Sequence, residues 1–153
     1  MTLEQYAYLG EIIAAVAVVV SLLYLAIQIR QNTKAVRTSN FHGITDSFNQ
    51  INNTIANDES LARIFHVGMA DFSQLNEDEK IRFNFMFLSA FRVMETLYYQ
   101  STQGVAEQQL WLVEQQTIKA LLSGPGTLEW WSSNPLSLTP GFRKFVDENI
   151  LQN

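Results

Sequence analysis

The chain contains no cysteine among its 153 residues. This absence excludes disulfide bonds, thiolate metal sites and cysteine nucleophiles. Charged residues are also scarce, at 16% against about a quarter in ordinary soluble domains. A low charged fraction is typical of a chain that has part of its length in lipid, and 153 residues leave room for only one ordinary domain besides.

Basic residues are absent from the first 29 positions and occur together directly afterwards, as Arg30, Lys34 and Arg37. Two of the 15 acidic and three of the 10 basic residues precede position 38, which leaves 13 acidic and 7 basic residues in the remainder. That remainder lacks the net positive charge that nucleic-acid surfaces carry. The sequence therefore predicts no nucleic-acid partner.

The longest uncharged stretch runs from Ile12 to Ile29 and reads IIAAVAVVVSLLYLAIQI, 18 residues. As a helix it would be about 27 Å long, close to the ~30 Å hydrocarbon core of a bilayer. A buried core helix of this length usually carries charges on one face, and this stretch carries none. We therefore expect a transmembrane helix, with the lipid bilayer as its partner.

A cleaved signal peptide is the competing interpretation, because Ala15-Val16-Ala17 resembles an A-x-A cleavage site. The residues before the stretch, however, include two glutamates and no lysine or arginine, whereas a signal peptide begins with a positive segment. We expect the helix to remain in the protein. Because basic residues follow the helix and none precedes it, the positive-inside rule predicts an external N-terminus and a cytoplasmic C-terminal domain.

One face of this helix consists of small or polar residues whose spacing alternates between four and three positions, as in a heptad seam. These residues are Gly10, Ala14, Ala17, Ser21, Tyr24 and Gln28. Small residues let helices approach closely in lipid, and serine or glutamine can form hydrogen bonds between helices. The pattern predicts a homo-oligomer. A ring of copies would instead place this face around a pore, which is the alternative function.

The rest of the chain shows helical periodicity, and no segment alternates for long enough to form a strand. We predict an all-α fold in which the N-terminal helix can continue into an amphipathic helix, followed by a small bundle of about five helices. We divide the chain into the transmembrane helix with its basic juxtamembrane segment, 1–37, and a cytoplasmic helical domain, 38–153. Asn76-Glu77-Asp78-Glu79 predicts a capping box that opens an apolar central helix over 77–102.

Local signals also place the later helices. A helix over about 106–122 would have one side formed by Leu110, Val113, Thr117, Ala120 and Leu121. This helix would end at Ser123-Gly124-Pro125-Gly126. Trp130-Trp131 fits a membrane interface, where tryptophan is favoured, or else a core or subunit contact, and we expect the core or a contact. Thr139-Pro140 predicts the start of the last helix.

Arg92 and Glu95 lie three residues apart on the apolar central helix, where a charge must be paired to be tolerated. We interpret them as a buried charge pair that fixes helix register; the functional alternative makes Glu95 an acid or base beside a pocket. His42 and His66 lack ligands at the spacing of a zinc site, and no recognisable catalytic motif is present. The sequence predicts a protein that is not an enzyme and has no cofactor or metal.

Gly10-Glu11 and the run VSLLYLAIQIRQNT from Val20 to Thr33 resemble the opening of a widespread group of uncharacterised bacterial single-pass membrane proteins. The likeness continues through Pro125-Gly126-Thr127-Leu128-Glu129-Trp130-Trp131 and a closing helix from Phe142 to Asp147, so it covers nearly the whole chain. The resemblance implies a bacterial inner-membrane location. It brings no activity and no site residues with it.

These patterns together predict a membrane-anchored, self-associating helical protein. The N-terminal helix would tether and assemble the copies, and the cytoplasmic helices would present a surface to a partner protein. An interaction or scaffold module is therefore the expected function, with an ion channel or pore as its alternative.

Overall fold

The computed structural model describes residues 2–106, 108–134 and 137–152, and all regular structure in these ranges is helical. The helices are α1 (Leu3–Ala56), α2 (Glu59–Ala70), α3 (Glu77–Thr102), α4 (Gln108–Leu121), α5 (Pro125–Ser133) and α6 (Pro140–Asn149), with a 3-10 turn at Phe72–Gln74. The prediction of one long apolar N-terminal helix followed by a small helical bundle is confirmed.

The chain divides into two compact units, 1–39 and 40–153. The boundary lies inside α1, which continues past the apolar run because no proline interrupts residues 31–56. The first unit is a single helix, and its described side chains are exposed. Among the described residues one helix, α1, is long and apolar enough to cross a membrane. The division into a transmembrane part, 1–37, and a cytoplasmic domain, 38–153, stays a prediction.

The core of the second unit is built on α3. This helix begins at the expected capping box: the Asn76 side chain accepts a hydrogen bond from the Glu79 amide, and the Glu79 carboxylate accepts one from the Asn76 amide, both at 3.0 Å. Phe83, Phe87 and Phe91 follow at intervals of four and therefore share one face. All three are at most 2% exposed.

The paired tryptophans of α5 lie in this core, as expected. The Trp130 ring lies 5.4 Å from Phe87 between ring centroids, and its indole N–H donates to Asn84 Oδ1 at 2.9 Å. The indole N–H of Trp131 donates to Asp147 Oδ1 at 2.8 Å, and the Arg143 guanidinium lies 4.1 Å from its ring centroid. Both indoles of this pair therefore have a hydrogen-bond partner, which burial of the group requires.

The start of α5 differs from the sequence prediction. The sequence analysis placed Pro125-Gly126 in the segment that ends the preceding helix, but these residues form the first turn of α5, because proline is well suited to the first helical position. Gly126 also lies directly against the backbone at the end of α2. A Cβ built on Gly126 would overlap the Gly68 carbonyl oxygen and lie 2.7 Å from the Phe72 nitrogen. Glycine is therefore required where α5 crosses α2.

Substitution Gly126→Ala should destabilise the second unit by about 2 kcal/mol or more, since the added methyl forces two helix backbones apart. Gly43→Ala is the matched control, because no atom lies within 4 Å of its added Cβ; removing a mid-helix glycine there should be neutral or stabilising by up to about 1 kcal/mol. Denaturant unfolding followed by tryptophan fluorescence measures both. Equal stabilities for the two variants would contradict the close approach.

Candidate functional site

A cavity of about 420 Å³ lies within the second unit, between the end of α1 and helices α3 and α4. Ligand pockets commonly have volumes of about 300–1,000 Å³ and mostly apolar walls. The wall here is mainly apolar and includes Ile44, Phe48, Met86, Met94, Leu110 and Leu121. The cavity is thus of a size and composition suited to a small apolar or amphipathic molecule.

The cavity exists because the end of α1 packs incompletely against the bundle. Apolar residues recur there at steps of three and four, which gives the helix one apolar face. Of these residues Ile44 is buried, whereas Phe48, Ile51 and Ile55 are half-buried and Phe41 is 42% exposed. The apolar face of this segment is therefore only partly covered by protein.

Glu114 on α4 is the one ionisable group among the described residues that line the cavity. The residue is 9% exposed, and its Oε2 atom is buried with no hydrogen-bond partner among the described residues. Burial raises the pKa of the Glu114 carboxyl, and the Thr117 side chain acts in the opposite direction. A buried acceptor without a donor costs about 1–3 kcal/mol, which makes Glu114 the most unusual group in the wall.

The sequence analysis did not single out Glu114, because it placed a neighbouring set of residues along one side of α4. Val113 of that set is 60% exposed, whereas Leu110, Thr117 and Leu121 are half-buried and line the cavity. The buried positions are Trp111, Glu114 and Ile118 of α4, with Leu122 directly after it. These buried residues follow one another at intervals of three and four positions, as the residues of one helix face do. The Glu114 carboxylate interrupts the apolar residues of this face, and for that reason the sequence analysis did not recognise the face as buried.

Arg92 and Glu95 form an ion pair at 2.9 Å, but only the acid is buried: the side chains are 54% and 7% exposed. The prediction of a buried pair therefore needs correction for Arg92, which extends into solvent. Glu95 Oε1 accepts hydrogen bonds from the Thr139 amide at 2.7 Å and the Thr139 hydroxyl at 2.6 Å. Thr139 precedes the first turn of α6, so Glu95 holds the start of α6 against α3. Both carboxylate oxygens are engaged, which favours a structural role.

The predicted self-association face lies on the first unit, where all six of its residues are exposed. At 100° per residue they fall within an arc of roughly 80°. The Ser21 hydroxyl donates to the Ala17 carbonyl at 2.8 Å, so its proton is used inside the helix. The basic cluster Arg30, Lys34 and Arg37 begins roughly 200° around the axis from Gly10, on the opposite side of the helix.

Within the described ranges, no three histidine, aspartate or glutamate side chains lie together as a metal site would require. The chain matches no protein-family model, no curated protein and no solved structure. The resemblance to bacterial single-pass membrane proteins stays a prediction, and function is inferred from the geometry of the chain itself.

Substitution Glu95→Ala should destabilise the second unit by about 2–3 kcal/mol, because it removes the carboxylate that accepts hydrogen bonds from the Thr139 amide and hydroxyl. Arg92→Ala removes only an exposed ion-pair partner and should cost less than about 1 kcal/mol. Denaturant unfolding of both variants gives the comparison. A larger loss for Arg92→Ala would show that the ion pair, and not the contact with α6, is the main contribution of Glu95.

Glu114→Gln should change how stability depends on pH. Because the pKa of Glu114 is raised in the folded protein, the folded state holds more protons than the unfolded state between the two pKa values. Stability therefore falls as the pH rises from the ordinary glutamate value, about 4.3, through the raised one. The neutral glutamine lacks this loss, so the variant should gain stability relative to the native protein as the pH rises above about 4.3. Parallel pH profiles of thermal unfolding would contradict the prediction.

Proposed function

We propose that the protein is a membrane-anchored, self-associating scaffold whose run from Ile12 to Ile29 crosses a lipid bilayer. The observation that carries the proposal is the exposure of this run, where the large apolar side chains are 53–66% exposed. In water such a continuous apolar surface is unfavourable and promotes association. In a bilayer each leucine, isoleucine or valine near the centre favours insertion by about 0.3–0.6 kcal/mol.

The proposed orientation places the second unit in the cytoplasm, at the bacterial inner membrane that the resemblance implies. Arg30, Lys34 and Arg37 support it, because basic residues that follow a transmembrane helix are retained on the cytoplasmic side. In intact cells a membrane-impermeant maleimide should label Thr2→Cys, and it should label Gln152→Cys only after the membrane is opened. The reverse labelling pattern would overturn the orientation.

Self-association is proposed to occur through the face from Gly10 to Gln28. Its small residues permit close helix contact in lipid. The basic cluster supports this choice, because it lies on the opposite side of α1. Copies packed through the small-residue face would direct these cations towards lipid headgroups and away from one another, which avoids like-charge repulsion.

Single cysteines test the interface cleanly, because the chain has no cysteine of its own. In native membranes Ala14→Cys, Ala17→Cys and Ser21→Cys should form disulfide-linked dimers on mild oxidation. The controls Val16→Cys, Val19→Cys and Leu23→Cys lie two residues further along, at nearly the same depth but about 200° around the helix. They should remain mostly monomeric.

Equal crosslinking of both sets, or monomers alone in the first set, would reject the proposed interface. The size of the oligomer also separates the scaffold from the pore. With one helix per copy, a pore requires a ring of about five or more copies, whereas a dimer or trimer fits the scaffold.

A further inference from the structure

We propose that the cavity of the second unit binds a lipophilic amine, with the Glu114 carboxylate holding the cationic head and the apolar wall enclosing the body. We base the proposal on one oxygen of the Glu114 carboxylate, which lacks a hydrogen-bond partner among the described residues. Glu114 lines the cavity and is 9% exposed, and its Oε2 atom has no hydrogen-bond donor among the described residues. An ionised carboxylate only accepts hydrogen bonds, so the missing partner of the charged form is a donor.

The surroundings of Glu114 favour a cationic donor over a neutral or anionic ligand. The other polar groups of the described lining are neutral: Thr45, Asn49, Asn52 and Thr117. No lysine, arginine or histidine is among them, so the lining supplies no positive charge. A hydrogen bond from an ammonium group to a carboxylate is roughly twice as strong as one between neutral groups. An anionic head would instead place a like charge beside Glu114.

The wall favours an apolar body attached to that head. Met86 and Met94 contribute flexible thioethers that can adapt to different shapes. Phe48, Phe65 and Phe87 add aromatic surface to the same cavity. A body in contact with these groups would also cover the exposed apolar face at the end of α1. Binding should therefore stabilise the packing of residues 41–55 against α3 and α4.

The cavity lies within residues 41–121, so ligand binding there does not depend on whether α1 crosses a bilayer. Its failure and the failure of the proposed function are therefore distinguishable.

Three probes of equal chain length test the inference on the full-length protein in detergent: octylamine, octanol and octanoate. Binding is measured by titration calorimetry and by the rise in unfolding temperature, which follows ligand affinity. Octylamine should bind about tenfold or more tightly than octanol, and octanoate should bind weakest. Equal affinities of octylamine and octanol, stronger binding of octanoate, or no binding of octylamine would each overturn the proposal.

Variants assign the effect to the cavity. Glu114→Gln should remove the preference for octylamine over octanol while leaving octanol binding in place, because the apolar wall is unchanged. Ala90→Leu enlarges a side chain of the cavity wall and should weaken all three probes. Glu129→Gln removes an exposed carboxyl outside the described lining and should leave every affinity unchanged. Retention of the octylamine preference in Glu114→Gln would show that another group holds the amine.

Discussion

A single helix cannot bury its own side chains, and this limit governs the N-terminal part of the chain. The run from Ile12 to Ile29 has 18 uncharged residues, and its large apolar side chains are exposed. Its backbone hydrogen bonds are satisfied within the helix, which is the condition for crossing hydrocarbon. The proposed location, orientation and assembly all follow from the need of this surface for an apolar solvent.

The second unit is tightly packed in one region and loosely packed in another. At the crossing of α2 and α5, Gly126 lets two backbones meet, and the aromatic rings of α3 pack against Trp130. At the end of α1, a cavity of about 420 Å³ remains. Empty space forfeits dispersion contacts for the atoms that line it, and the buried Glu114 carboxylate adds a further cost. Neither the cavity nor the buried carboxylate stabilises the fold, and this supports a role for both in ligand binding.

Local sequence signals were sufficient for the helices themselves. The Asn76 to Glu79 capping box and Thr139-Pro140 act within one turn of the chain, so the starts of α3 and α6 could be read directly. The start of α5 at Pro125 was not predicted, because the turn residues Gly124 and Gly126 also occur at helix ends. What decides their role is the approach of α2, which is a tertiary contact.

The candidate site was harder to predict from the sequence, because it too depends on tertiary contacts. Glu95 was recognised as buried, but its partner Thr139 lies 44 residues away, beyond the reach of any local pattern. Glu114 occupies a position that helical periodicity reserves for an apolar residue, so the pattern pointed to the neighbouring face of α4. A polar group that interrupts an apolar stripe is therefore a useful signal for a site when the rest of the stripe is intact.

The most direct test of the central claim is extraction of the full-length chain from its native membranes with alkaline carbonate, which removes peripheral proteins. If the run from Ile12 to Ile29 is embedded in acyl chains, the protein remains in the membrane pellet and is released only by detergent. Recovery of folded protein in the lipid-free aqueous supernatant would contradict the account.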